Sequence, residues 1–164
     1  MAAEYSANAT QVVQPNQAAI FTESPVPCNR GLVFHRDESG VFILANNAST
    51  QSCSCGCGCR RIYETLYQIE FHGNISLPEE PAGTVEPISL AIAIGGETDP
   101  NSIMMVTVPL VSDTAGDNVG ASIIVPVPSL CGCQNVSVRN ISTQAINVMN
   151  ANIVISYIGV RRVR

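Results

Sequence analysis

IIVPVPSLCGCQNVSVRNISTQAINVMNANIVISYIGVRRVR, residues 123–164, carries the clearest fold signal in the chain. Val136, Val138 and Ile141 are interleaved with Ser137, Arg139 and Ser142. After a short polar break, Ile146, Val148, Ile153, Ile155 and Ile158 carry the apolar positions to the end. A two-residue period is what a strand with one buried and one wet face produces. A terminal segment that is not tied down frays, so a last strand of this kind is expected inside a sheet, at the centre of a β-sandwich.

Upstream, the same pattern recurs at the spacing of a multi-stranded β protein. Ile88-Ser89-Leu90-Ala91-Ile92-Ala93-Ile94 alternates large and small residues, which predicts a strand packed tightly on one face and covered thinly on the other. Strands are also predicted over 103–111 and 119–127, the latter ending as an edge at Pro126 and Pro128. Residues 61–77 read as one bent strand or two short ones. Segments 31–35 and 41–45 form a hairpin about Asp37-Glu38-Ser39-Gly40. A first strand is expected over 18–23, and the prolines at 25 and 27 demand a turn or an edge. No helix and no fixed-period repeat is evident. The fold class is therefore all-β: a single-domain antiparallel β-sandwich or jelly roll. Residues 1–16, polar and aperiodic, read as an extended N-terminal arm, residues 17–164 as the sandwich, and residues 46–60 as a Cys-rich loop within it.

Of the 164 residues, 46% are apolar and 13% charged, about half the share usual in globular chains, and lysine is absent. This suits a surface covered by copies of itself or by a partner, or equally a Ser/Thr/Asn-rich β surface. A net charge of −5 argues against a nucleic-acid partner. No basic region followed by an apolar run opens the chain, so no secretory signal peptide is expected, and no run reaches the roughly 18 apolar residues of a membrane span.

Seven cysteines stand at Cys28, Cys53, Cys55, Cys57, Cys59, Cys131 and Cys133, an odd number that forbids complete internal pairing. The CxC spacing suits a tetrahedral zinc site poorly. On a strand, however, Cys131 and Cys133 face one way and could meet the 53–59 run. Disulfides within or between chains, a metal-thiolate cluster and reduced thiols all remain open. Cys28 reads as a small buried residue.

No catalytic motif is present, and His35 and His72, each on a predicted strand, read as structural rather than as bases. Asp113 and Asp117 flank a loop that could hold Ca²⁺, although without EF-hand spacing they read first as a solvated turn, as do Glu97 and Asp99. Five N-x-S/T sequons, at Asn8, Asn47, Asn74, Asn135 and Asn140, reflect composition. The chain is expected to be no enzyme and to need no cofactor or metal.

The phrases Pro27-Cys28-Asn29-Arg30-Gly31 with His35-Arg36, Gly83-Thr84-Val85-Glu86-Pro87-Ile88, Gly96 to Pro100, Val125-Pro126-Val127-Pro128 and Asn150-Ala151-Asn152 occur in an order that resembles small β-rich structural proteins of phages and prophages of Firmicutes. The resemblance covers about residues 18–160. Those proteins are similar in outline to trimeric jelly rolls of the C1q and tumour-necrosis-factor type. That likeness implies a homo-oligomer, a trimer first, with Ile146, Val148, Ile153, Ile155 and Ile158 at its interface. It implies a virion protein on the capsid surface, a decoration or head-fibre component, its arm gripping the major capsid protein or a neighbouring subunit. The CSCGCGC run departs from that pattern. The alternative is a disulfide-stapled subunit of a bacterial surface or spore appendage.

Overall fold

The structure, a computed structural model, describes residues 1–28, 31–36, 38–47, 62–78, 85–129 and 132–163. In chain order the strands are β1 (Ala2–Ala7), β2 (Gln11–Val13), β3 (Glu23–Val26), β4 (Val33–His35), β5 (Phe42–Ala45), β6 (Ile62–Ser76), β7 (Ile88–Ile94), β8 (Glu97–Thr98), β9 (Met104–Val106), β10 (Asp117–Pro128), β11 (Cys133–Asn140) and β12 (Ile146–Val163). One 3₁₀ turn, Pro100–Ser102, interrupts them, and the described residues contain no α-helix.

Two antiparallel sheets form the sandwich. The first runs β10-β6-β12-β1-β3, with β2 also on β12, and the second runs β4-β5-β11-β7-β8, with β9 also on β7. The all-β jelly-roll sandwich expected from the alternation is therefore the fold. Its core lies between the sheets, where Phe21, Phe42, Tyr67 and Phe71 are fully buried among the branched aliphatics of β6, β7, β11 and β12. Each such side chain removed from water contributes about 1.5–3 kcal/mol, which is why the strands with the longest apolar alternation are the longest elements.

The sandwich is built on β6 and β12, paired from Asn147↔Ser76 to Val163↔Ile62. Two irregularities let this long ribbon follow the twist of the sheet. One lies between Met149 and Asn152, where Asn150 takes φ 49°; the other lies between Tyr157 and Gly159, where glycine takes φ 149°. The prolines act as the sequence predicts. Pro25 lies in edge strand β3, and Pro126 and Pro128 lie in edge strand β10, so neither interrupts a central ladder. β7 is buried on both faces, as its large-small alternation demands.

The N-terminal segment corrects the sequence reading. Residues 1–16 are no free arm. β1 sits between β12 and β3 with Ala3, Tyr5 and Ala7 in the core, and β2 adds Val13 beside Ile146. The physical reason is plain in the register: Ala3, Tyr5 and Ala7 have period two. Two of the three are alanines, too small to stand out in a hydropathy profile, yet they fit against the large aliphatics of β12. Residues 18–22 likewise form no strand: Ala18↔Arg139 and Phe21↔Ser39 are isolated bridges, and β3 begins only at Glu23.

Candidate functional site

One short stretch of chain carries five exposed large apolar side chains. Leaving the second sheet at β9, the chain crosses to β10 over residues 103–111, and there Ile103, Met105, Val108, Leu110 and Val111 point outward. Val108 is 80% exposed, more than any other large hydrophobic among the described residues. The segment is apolar on both sides. Met104 and Pro109 turn inward and seal the sandwich edge, which leaves the other row in solvent. Hydrogen bonds hold the row in place: Leu77 N donates to Leu110 O (2.8 Å) and Ser112 N to Leu77 O (3.0 Å), and Leu110 N donates to the Asp117 side chain at Oδ2 (3.4 Å). Ile124, 60% exposed, adds an apolar side chain on edge strand β10. No charged residue occurs between 103 and 111. The sequence predicts one strand over 103–111. Only Met104–Val106 is one, and the signal for the difference is Pro109 within the run.

A second apolar area lies on the β4–β5 hairpin. Phe34, His35, Arg36, Ser39, Val41 and Ile43 line an open depression of about 570 Å³, with Phe34 half exposed. The outer face of the first sheet mixes carboxylates with the exposed apolar side chains of Ile124, Ile158 and Val160. Three of its carboxylates accept hydrogen bonds from neutral neighbours: Glu4 Oε1 from Asn152 (2.7 Å), Glu70 Oε1 from Gln68 (2.8 Å), and Glu23 Oε2 from Ser6 (3.2 Å) and Asn8 (3.0 Å), while Glu64 Oε2 pairs with Arg161 (2.7 Å).

The resemblance places a subunit interface on five residues of β12. Ile146, Val148, Ile153 and Ile155 are at most 1% exposed in the single chain, packed against the opposite sheet, and have no surface left for another subunit. Of that set only Ile158 is exposed. β12, flanked by β6 on one side and by β1 and β2 on the other, has its inward face committed to the sandwich.

The histidines lie on different sheets. His35 stacks on Phe42 (centroids 4.6 Å apart) with Nε2 2.9 Å from Ser39 O, whereas His72 is exposed on β6, opposite Gly120 and Asn152. Asp99 caps the 3₁₀ turn by accepting from Asn101 N (2.8 Å). The sequon residue Asn140 is buried and donates to Val13 O and Gln144 O, which makes it a strut between β2 and the turn that leads into β12. Cys53, Cys55, Cys57, Cys59 and Cys131 lie outside the described residues. Cys133 is an exposed free thiol and Cys28 a half-buried one that accepts from Val33 N (3.3 Å). Among the described residues, no three His, Cys, Asp or Glu side chains converge as metal ligands, and no helix is long and apolar enough to cross a membrane.

Two phenols have shifted acidity. Burial, then the Cys28 thiol and then Tyr157, push Tyr67 up to about 12, and burial followed by Cys28 raises Tyr5. Tyr67 donates to Ala45 O (2.6 Å) and Leu32 O (3.2 Å), a structural use of its hydroxyl.

No protein-family model matches the chain, and no curated protein matches it. Solved structures similar to it include the CBM35 from Cellvibrio japonicus Abf62, at 10% identity and TM-score 0.35, covering 95% of this chain and 99% of that one. Another is the isomalto-dextranase of Arthrobacter globiformis T6 complexed with panose, at 14% identity and TM-score 0.35, covering 93% of this chain and 23% of that one.

Proposed function

We propose that this chain is a structural subunit that works by associating with copies of itself, as a decoration or head-fibre component on the outside of a phage capsid. The observation that supports the reading is the uncharged flank of residues 103–111, with five large apolar side chains exposed on the sandwich edge. A contiguous exposed apolar surface of this kind is what protein contacts use. A second copy suits it, because the low overall charge keeps repulsion between copies small and the flank itself adds none. The phage setting rests on the phrase-order resemblance alone. Contact through an N-terminal arm or through the inner face of β12 is not part of the proposal, since both are in the core.

Light scattering tests the association. The native chain is expected at a multiple of its 17.4 kDa mass at micromolar concentration, and Val108→Glu with Leu110→Glu is expected to return it to monomer with its β signature intact. A native monomer, or an oligomer indifferent to the two glutamates, would contradict the reading. One observation favours the appendage alternative: Cys133 is an exposed thiol on an outer strand face. A ladder of covalent multimers on non-reducing gels of native material, collapsing with reductant, would transfer the proposal to that setting.

A further inference from the structure

β10 closes one side of the first sheet, and among the described residues no strand pairs with its outer edge. It pairs with β6 from Asp117↔Ile75 to Pro128↔Glu64 without a bulge. Pro126 and Pro128 fix which backbone groups face which way. Proline has no N–H, so in an edge strand its nitrogen lies on the open side. The opposite parity agrees, since Ser129 N donates to Tyr63 O (3.0 Å), toward β6. Successive residues alternate between the two sides, so Asn118, Gly120, Ser122 and Ile124 hold their N–H and C=O groups out to the open edge. All four residues are exposed.

Natural sheets blunt their open edges by shortness, charge, proline or a bulge. The other outer strands follow that rule: β3 has four residues with Pro25 among them, β4 has three and β8 two. β10 has twelve residues and, after Asp117 at its start, no charged side chain. Its prolines stand only at the far end, which leaves 118–124 unguarded. A straight, uncharged edge of this length is a template for another strand.

A second copy of the same strand matches it group for group. Laid antiparallel about a two-fold axis at Ala121, Asn118 faces the partner's Ile124 and Gly120 faces the partner's Ser122. Each such pair exchanges both N–H···O bonds, so no open group of the segment is left over. A shift of two residues one way sets Asn118 against the partner's Pro126, which has no donor; the other way carries Ile124 past the start of the partner's β10. The centred register also keeps the two Asp117 carboxylates roughly 27 Å apart, at about 3.4 Å per residue. The flank of residues 103–111 lies on this same side of the sandwich, where β9 packs against β10 and Leu110 N reaches Asp117 Oδ2 (3.4 Å).

We infer that two copies join β10 to β10 in this register, forming one continuous sheet across a two-fold axis with the 103–111 flanks beside the join. This pairing presupposes the self-association proposed above and gives it a geometry.

Light scattering of the full chain and of two variants tests it. The native chain is expected at an even multiple of 17.4 kDa. Ser122→Pro removes one outward N–H at a position of the same parity as Pro126 and Pro128, and is expected to halve that mass with the β signature intact. Ser122→Ala keeps the N–H and is expected to keep the native mass. Amide exchange read by NMR decides the matter even where Ser122→Pro fails to fold. The amides of Gly120, Ser122 and Ile124 are expected to slow by at least about tenfold between dilute and concentrated native protein, while those of Val119, Ile123 and Val125 are slow in both. An odd multiple of the chain mass, a folded Ser122→Pro of native mass, or fast exchange at 120, 122 and 124 in the oligomer would overturn the β10 pairing and leave the association standing. A native monomer would overturn both.

Discussion

Residues 2–13 and residues 103–111 exchange the roles that their sequences suggest. The N-terminal stretch reads as polar and aperiodic, yet it supplies a central strand of the first sheet with Ala3, Tyr5, Ala7 and Val13 in the core. The 103–111 stretch has the composition of a buried strand, yet it lies on the flank with five of its seven large aliphatic side chains in solvent. Burial depends on what a segment pairs with on each edge, and hydropathy reports only what it could tolerate. β1 is paired on both edges, by β12 and β3. The 103–111 segment pairs with β7 over only three residues and afterwards leans on Leu77 by single bonds, so its outer row has no layer to face.

The contrast fails first if the N-terminus proves dispensable. Deleting residues 1–13 removes two strands from β12 and is expected to abolish the cooperative unfolding transition, read by circular dichroism in urea. A detachable arm would leave the midpoint unchanged. Tyr5→Ala puts the same question to one side chain. Tyr5 packs 4.9 Å from both His35 and Phe42, and its loss is expected to cost about 3–5 kcal/mol in urea titrations.

How much of this was legible in the sequence follows from the same contrast. The ladders of β6, β7, β10, β11 and β12 were readable because large aliphatics alternate over seven residues or more, and the prolines marked β3 and β10 as edges. β1 was not, since two alanines and a tyrosine carry little hydropathy even at the right period. The flank was not, since periodicity cannot say whether a facing layer exists. The contacts of the buried Asn147 were not, since Ser76, Ser112 and Asp113 meet it from 71, 35 and 34 positions away, across strand pairings that no local window contains.

A smaller effect concerns Tyr67. Its phenol is held neutral by burial, with the folded value raised to about 12 against the ordinary 10, so the fold binds that proton more tightly than the unfolded chain does. The stability it contributes is fully present below pH 10 and is lost as pH rises from 10 towards 12. Melting temperatures are therefore expected to fall across that window, less steeply in Tyr67→Phe. At neutral pH that variant is expected to lose about 1–2 kcal/mol, because Ala45 O and Leu32 O lose their donor. The smallest effect belongs to the flank. Val108→Ser and Leu110→Ser are expected to change the unfolding free energy of the dilute chain by no more than about 0.5 kcal/mol, since neither side chain is buried there.

Hydrogen exchange of the native chain at two concentrations bears most directly on the exchanged roles of these segments. The amides of residues 3–7 are expected to exchange as slowly as those of β6 and β12 at either concentration. Those of residues 105–111 are expected to exchange fast when dilute and to slow as concentration rises and copies meet. Fast exchange at residues 3–7, or exchange at 105–111 that ignores concentration, would contradict the account.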